Sequence, residues 1–381
     1  MALFRALLHE WQLVRHNKAV MLVLFGGILF YAFLYPLPYL HNVAGEQAVV
    51  VLDEDKTALS RSLIRRVDAM PQTRVQAVVP SMQEARAMIT AGEAQGLLIV
   101  PRDFQKDLLL GVPAVLSYAG DASYFLIYGT VVEGLLTAGT TLALEVQALR
   151  SVAVKETKAP LVAQIQPVAV SVKPVFNAQA GYLNYVIPAV FVLILQQTML
   201  ISLGSVTVLD RQARTITPPS HSIGVALLAR FILFVGLYSV FAALYFGFFF
   251  KLYAVQAVAS WLPLLIFSLL FLGVCALLAM LLGYVYSAPE QSILLVLVSS
   301  LPLVFLVGFA WPVTSLPTWL DAAVNLVPAR PGILGLLSLN QMGAQWQQMA
   351  THISWLLVQG CIFIALLWWR VQREANIRLG L

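Results

Sequence analysis

Residues 49–67 read VVVLDEDKTALSRSLIRRV. A short apolar run stops at three consecutive acids and resumes as a charged pattern with helical spacing. It follows closely on AVMLVLFGGILFYAFLYPLPYL (19–40), one of the most apolar stretches of the chain. The whole chain has 381 residues, 60% hydrophobic and 11% charged, with mean hydropathy +0.83. Soluble domains are typically about 25% charged, so an integral membrane protein is the reading composition supports. The charges are unevenly placed. Residues 41–182 hold 12 basic and 13 acidic residues, 25 of the 41 in the chain. The opening stretch therefore belongs to a soluble-like insert in a lipid-like chain.

A membrane span needs roughly 20 apolar residues. Six segments qualify: 19–40, 183–206, 223–250, 260–284, 291–311 and 353–369. The apolar core of the first is longer than that of a secretory signal and no small-x-small site follows, so it reads as an uncleaved anchor. Short loops orient a membrane chain through their Lys and Arg content. Eleven basic residues lie outside the insert. Nine of them, Arg5, Arg15, Lys18, Arg211, Arg214, Arg230, Arg370, Arg373 and Arg378, fall in or beside 1–18, 207–222, 285–290 and 370–381; Lys251 and Arg330 do not. This bias makes both termini cytosolic and 41–182 extracytoplasmic. One segment competes. YFLIYGTVVEGLLTAGTTLALEVQAL (124–149), read as a seventh span, would invert everything after it. Glu133 near its middle favours a long helix packed within the insert. The resulting plan is a polytopic α-helical membrane protein of six transmembrane helices with an inserted α/β extracytoplasmic domain. Its parts are an interfacial helix at 1–18, a first span at 19–40, the insert at 41–182, a five-helix region at 183–369 and a cytosolic tail at 370–381.

Within the insert, AVVVL (48–52), VQAVV (75–79), GLLIV (96–100) and AVLSY (114–118) read as strands, with helical patterns between the first three. Leu59, Leu63, Ile64, Val67 and Met70 recur on one helical face. Asp55 or Thr57 suits an N-cap, and Ser81-Met82-Gln83-Glu84 is a capping box. Asp103 is placed to cap a short helix ending at Gly111, and QPVAVSVKPVF (166–176) adds a further strand. The alternation suggests a small α/β layer structure. Asp53, Glu54 and Asp55 fit a strand-end turn and a cap better than a calcium loop, which needs more oxygen ligands at regular spacing.

Several chemistries have no motif. There is no Gly-Lys pair and hence no P-loop, and neither H-E-x-x-H nor G-x-S-x-G occurs. The five histidines are scattered, and the two cysteines, Cys275 and Cys361, sit in apolar runs, which excludes a disulfide framework for the insert. No catalytic, cofactor-binding or metal-binding residues are assigned, and the chain is not read as an enzyme. The pI near 9.2 is explained by basic loops beside membrane spans rather than by nucleic-acid binding. The interiors of the spans are nearly free of ionisable groups, which proton- and ion-coupled transporters use to carry their coupling ions. Gln196 and Gln197 are the main polar residues at mid-span and read as helix packing or a substrate path.

Three further stretches stand out. MALFRALLHEWQLVRHN (1–17) puts Phe4, Leu7, Leu8, Trp11 and Val14 on one face, as in a helix lying in the membrane interface. VLDRQARTITPPSHS (208–222) is the longest cytosolic connection, a solvated turn or a docking surface. WPVTSLPTWLDAAVNLVPARPGILGLLSLNQMGAQW (311–346) is too apolar for a plain outer loop, and Pro312, Pro317, Pro328 and Pro331 break it into short helices. Such a piece enters the bilayer only where protein or water satisfies its backbone.

Taken together, the chain resembles bacterial ABC-2 type permeases of the larger exporter class, essentially end to end. VVVLDEDKTALSRSL (49–63) resembles that family's V-x-D-x-D-x-[ST]-x-x-[ST]-R opening, and GEAQGLLIVPRDFQKDLLLG (92–111) its G-x-x-x-G-x-x-x-[IV]-P-x-x-F passage. VFNAQAGYLNYVIPAVFV (175–192) resembles the approach to its second span, and 311–346 its outer re-entrant helices. The resemblance implies a bacterial inner-membrane permease half. It would pair with a second permease subunit, identical or not, and be driven by two cytosolic ATPase subunits that hold the ATP and Mg. A periplasmic adaptor and an outer-membrane channel are further implied partners. Trp11, Arg15, Asp210, Arg211 and Arg214 would couple to the ATPases. Trp311, Pro312, Pro317 and Pro328 would shape an outer gate. One departure is plain: relatives usually carry a Glu-rich loop ending in Gly-Thr before the third span, whereas this chain has DRQARTITPP with Arg214-Thr215. The rival readings are a secondary transporter, which would need intramembrane acids or internal repeats, and a membrane-anchored sensor or structural protein.

The topology has a direct consequence. A reporter fused after Leu381 should be cytosolic and one inserted near residue 100 extracytoplasmic; protease protection or periplasmic-only enzyme reporters check both, and the reverse pattern would break the assignment.

Overall fold

The computed structural model describes residues 2–40, 45–120, 125–153, 183–184, 186–216, 222–311 and 313–379. In chain order these form α1 (Ala2–His16) and α2 (Lys18–Tyr39). Next come β1 (Gln47–Asp53), α3 (Ala58–Asp68), β2 (Thr73–Val79), α4 (Met82–Thr90), β3 (Gly96–Val100), α5 (Phe104–Leu110), β4 (Ser117–Gly120) and α6 (Phe125–Ala153). The remainder is helical: α7 (Val186–Ile216), α8 (Ile223–Leu252), α9 (Trp261–Val285), α10 (Glu290–Leu306), α11 (Thr318–Val324), α12 (Ala329–Asn340) and α13 (Ala350–Leu379). The chain divides into two compact units, one of Met1–Leu40 with Val175–Leu381, the other of His41–Pro174.

The smaller unit is a four-stranded sheet of order β2-β1-β3-β4, with β1 parallel to both neighbours and β4 antiparallel to β3. Strand residues alternate between faces, and both faces are covered. Val49, Val51, Leu98 and Val100 pack with Leu63 and Val67 of α3, Phe104 of α5 and the long α6. Val50, Leu52 and Leu97 pack on the other side with Ala85 of α4. Burial on both faces is why β1 reads as an unbroken apolar run.

Two of the three acids at the end of β1, Asp53 and Asp55, have structural work. Asp53 Oδ1 accepts from the amides of Asp55 (3.1 Å) and Lys56 (2.9 Å), and its Oδ2 from Ser60 Oγ (2.8 Å). Asp55 Oδ2 accepts from Thr57 Oγ1 and from the Gln105 amide. Thr57, not Asp55, is the N-cap of α3, in a reciprocal capping box with Ser60. At α4 only half of the expected box forms, with Ser81 Oγ accepting from the Glu84 amide. Asp103 stands at the start of α5 but makes no side-chain cap bond. The fourth strand lies three residues later than expected, and the strand expected at 166–176 lies outside the described residues.

The helix α6 meets the length and apolarity of a membrane span over Ile127–Val146. Its Val131, Leu135, Ala138, Leu142 and Val146 nevertheless form a seam on the sheet. Gly134 and Gly96 allow the close approach: a Cβ on either would run into Thr73 or Val131. Each large aliphatic in that seam contributes about 1.5–3 kcal/mol by burial. A charge such as the exposed Glu133 would instead cost about 2.5–3.5 kcal/mol at the centre of a span. Both terms favour the sheet.

In the larger unit α7 is the central helix and most of it is buried. Five of the six expected spans are helices of spanning length, and their ends differ from expectation. The helix α7 runs on to Ile216, so most of the expected loop 208–222 is helical and 217–221 lie outside the described residues. The expected tail continues α13 as far as Leu379. The helix α10 ends at Leu306 and has 17 residues, still about 25 Å at 1.5 Å per residue. Both α2 and α8 carry a π-helical stretch, Leu22–Gly27 and Leu244–Phe249. A π turn displaces backbone carbonyls from their usual donors, and here Tyr245 Oη donates to the Ile28 carbonyl at 2.7 Å. The proline-broken stretch forms α11 and α12, bent by 84°. Pro317 and Pro328 sit at their N-caps, where no amide is needed. The face of α12 is set by Gly332 and Gly335, whose α-carbons lie against the rings of Phe271 and Phe267 of α9.

Replacing Asp53 with Ala should loosen the turn between β1 and α3. Hydrogen bonds to a charged group contribute about 1.5–3 kcal/mol each, so hydrogen exchange at Asp55, Lys56 and the first turn of α3 should rise at least tenfold, with Asp53→Asn intermediate.

Candidate functional site

The notable chemistry of the larger unit is a cluster of charges inside it. Arg230 lies eight residues into the apolar helix α8 and is 1% exposed. Its guanidinium makes a two-pronged contact with Glu10 of α1: Nε donates to Oε2 at 2.8 Å and Nη2 to Oε1 at 2.9 Å. Nη2 also lies 2.7 Å from Oδ2 of Asp210 on α7. Arg214, one turn further along α7, donates from Nε to the same Oδ2 at 2.7 Å. Two arginines and two carboxylates balance, and the planar guanidinium suits a two-pronged carboxylate contact. The cluster joins α1, α7 and α8.

Arg211, next to Asp210, reaches the other way. It donates to the main-chain carbonyls of Tyr284 (2.7 Å) and Tyr286 at the C-terminal end of α9. This satisfies carbonyls that have no helical partner and favours the negative end of the helix dipole. Arg211 also pairs with Glu374 of α13 at 3.9 Å. One turn of α7 thus fastens three other helices, α8, α9 and α13, and reaches α1 through Arg230. Outside 41–182 the sequence holds five acids, Glu10, Asp210, Glu290, Asp321 and Glu374. Four of them are paired with arginine, Asp321 with Arg330 of α12. The fifth, Glu290, sits in the first turn of α10.

The residues expected to matter from sequence are thus only partly brought together. Asp210, Arg211 and Arg214 are neighbours, but they lie on a helix, largely buried, rather than on an exposed loop. Trp11 packs against the core of the larger unit and Arg15 is exposed. The buried stripe of α1 is Ala6, Glu10 and Val14, whereas Phe4 (66%) and Leu8 (48%) are exposed. The expected apolar face is therefore turned partly away from the protein. The sequence reading gives Glu10 no role; its place four residues from both Ala6 and Val14 is the signal that would have found it. From sequence Arg230 falls beside a loop, although seven residues of apolar helix, Ile223–Ala229, precede it.

Gln196 and Gln197 are both buried on α7. Gln196 Oε1 accepts from Cys275 Sγ of α9 at 3.7 Å, a packing contact between helices. The Gln197 carboxamide has no hydrogen-bond partner among the described residues. Lower on α7, Ser202 meets Tyr238 and Ser205 meets Ser292, polar links of the kind that hold helices together in lipid. Of the expected gate residues, Trp311 is 55% exposed. Pro312 lies outside the described residues. Arg330 ties the α11–α12 bend together through both the carboxylate and the carbonyl of Asp321.

Cutting the bridge from Arg230 to α1 should have a local signature. Breaking a buried pair by removing one partner costs about 3–5 kcal/mol. Glu10→Ala should therefore release α1, raising amide exchange over residues 2–16 by more than a hundredfold, while α12 and α13 keep their protection.

A family model described as ABC-2 family transporter protein matches residues 18–369. Comparison with curated proteins gave no match.

Proposed function

Because the chain belongs to the ABC-2 transporter family, whose members are membrane subunits of transporters, we propose that it is the permease half of an ATP-driven exporter of the bacterial inner membrane. In this reading both termini and the ends of α7 and α9 near Arg211 face the cytosol, and the α/β unit is extracytoplasmic. Two permease subunits, identical or not, pair, and two cytosolic ATPase subunits bind ATP and Mg. A periplasmic adaptor and an outer-membrane channel complete the route in relatives of this architecture.

The observation that carries the reading is the charge cluster around Arg230. An ATPase docking at the cytosolic face has to move spanning helices from their ends. Here the interfacial helix α1 is held by a buried two-pronged ion pair to α8 and, through Asp210, to α7. Force applied to α1 therefore reaches two spans without passing through a flexible loop. The exposed Arg15 presents the surface of α1 for docking while Trp11 seats the helix on the core, and Arg211 carries the same displacement to α9 and α13. The Lys- and Arg-biased loops support the orientation.

The chain should co-purify with a P-loop ATPase and show no ATP hydrolysis alone. Arg15→Glu should lower substrate-stimulated ATPase activity of the complex about tenfold, the loss of one charge-assisted contact, without changing the thermal stability of the permease. Full transport by this polypeptide in the absence of any ATPase would overturn the proposal.

A further inference from the structure

A cavity of about 390 Å³ lies between α8, the start of α9 and the end of α12, within the range of small-molecule sites. Its walls are mostly apolar: Ala242, Ala243 and Phe246 of α8 face Leu264 and Leu265 of α9. No charged side chain lines it. Trp261, 73% exposed, stands beside it as the first residue of α9, a position where tryptophan marks the membrane interface.

Two polar side chains break this apolar lining. Asn340 is 2% exposed, and both its Oδ1 and its Nδ2 lack a hydrogen-bond partner among the described residues. Ser268, 6% exposed, has an unpartnered Oγ. The other lining hydroxyl, Ser239, is satisfied by the Val235 carbonyl. Asn340 is held in place from its backbone, since its carbonyl accepts from the Val258 amide at 2.8 Å. A buried carboxamide without partners costs about 1–3 kcal/mol, and packing alone gives no reason to keep one here.

We propose that this cavity binds a neutral amphiphile. The apolar body lies along α8 and α9, and an uncharged head bearing a hydroxyl and a carbonyl meets Asn340 and Ser268. The carboxamide donates to the carbonyl and accepts from the hydroxyl; the serine supplies one more donor. A monoacylglycerol has this chemistry. A charged head has no counter-ion among the lining residues and is excluded at this position. The same chemistry arises from a resident membrane lipid or from a transported molecule.

The test uses the full chain with its co-purifying partners in nanodiscs and a monoacylglycerol carrying a photoreactive diazirine in its acyl chain. Crosslinks should concentrate at residues 239–247 and 261–268. N340L should lower that labelling about tenfold, the loss of one or two hydrogen bonds, and should leave the protein folded, because an apolar isostere replaces an unpartnered amide. G247L is the second variant: a side chain there has open space before it, so it should fill the cavity and abolish labelling without disturbing the helix. A neutral amphiphile retained one-to-one through purification assigns the site to a resident lipid. Probe that is bound and then released on ATP hydrolysis assigns it to cargo. Labelling spread evenly over the lipid-facing surface, or unchanged in both variants, overturns the proposal.

Discussion

An arginine inside a helical bundle tolerates few arrangements. Desolvating an ion costs several kcal/mol, and the attraction of a partner offsets this only when the geometry is close and the remaining hydrogen-bonding capacity is filled. Arg230 meets that requirement with two carboxylates drawn from two other helices. The position of α1 against the bundle, the relation of α7 to α8 and the conformation of the first helical turns of α8 all follow from it. Removing either carboxylate leaves two arginines with one acid between them; removing Arg230 leaves Glu10 buried without its counter-charge, while Asp210 keeps Arg214.

The scarcity of charge in the larger unit makes these contacts specific. With five acids outside the α/β unit, there are few wrong partners. Glu10 with Arg230, Asp210 with Arg230 and Glu374 with Arg211 link different helices, Asp321 with Arg330 stiffens a bend, and Arg214 backs Asp210 from one turn along the same helix. The rest of the bundle is joined by apolar packing and by hydroxyl contacts such as Ser205 with Ser292. Close packing drives helix association in lipid, where no hydrophobic effect separates one apolar surface from another, and the contact of Gly332 and Gly335 with the rings of α9 is of that kind.

The α/β unit was largely legible because its signals are local. Short apolar runs gave three strands to within two residues, and the Leu59–Met70 stripe faces the core as its spacing requires. The acids at 53–55 were legible as a turn and cap, although the cap fell on Thr57. Span existence was legible and span ends were not. Helices such as α7 and α13 continue beyond the hydrocarbon length because protein contacts, not lipid, satisfy Asp210, Arg211 and Arg370 there. The charge cluster was the hardest part to read. Its members are separated by about 220 residues, and composition alone assigns Glu10 to water and Arg230 to a loop. Only the helical phase of Glu10 relative to Ala6 and Val14 carries a trace of the true arrangement.

The contacts of α9 also have a mechanical meaning. This helix of 25 residues is about 37 Å long. Near one end its carbonyls are gripped by Arg211; nearer the other, Phe267 and Phe271 are pressed against the backbone of α12. One grip is a pair of hydrogen bonds from the Arg211 guanidinium to main-chain carbonyls, the other a ring seated on glycine. The helix is thus placed as a pushrod, with Tyr284 at one end and the bent pair against the other. The two ends of the bundle are in this way geared to each other through a single rigid element.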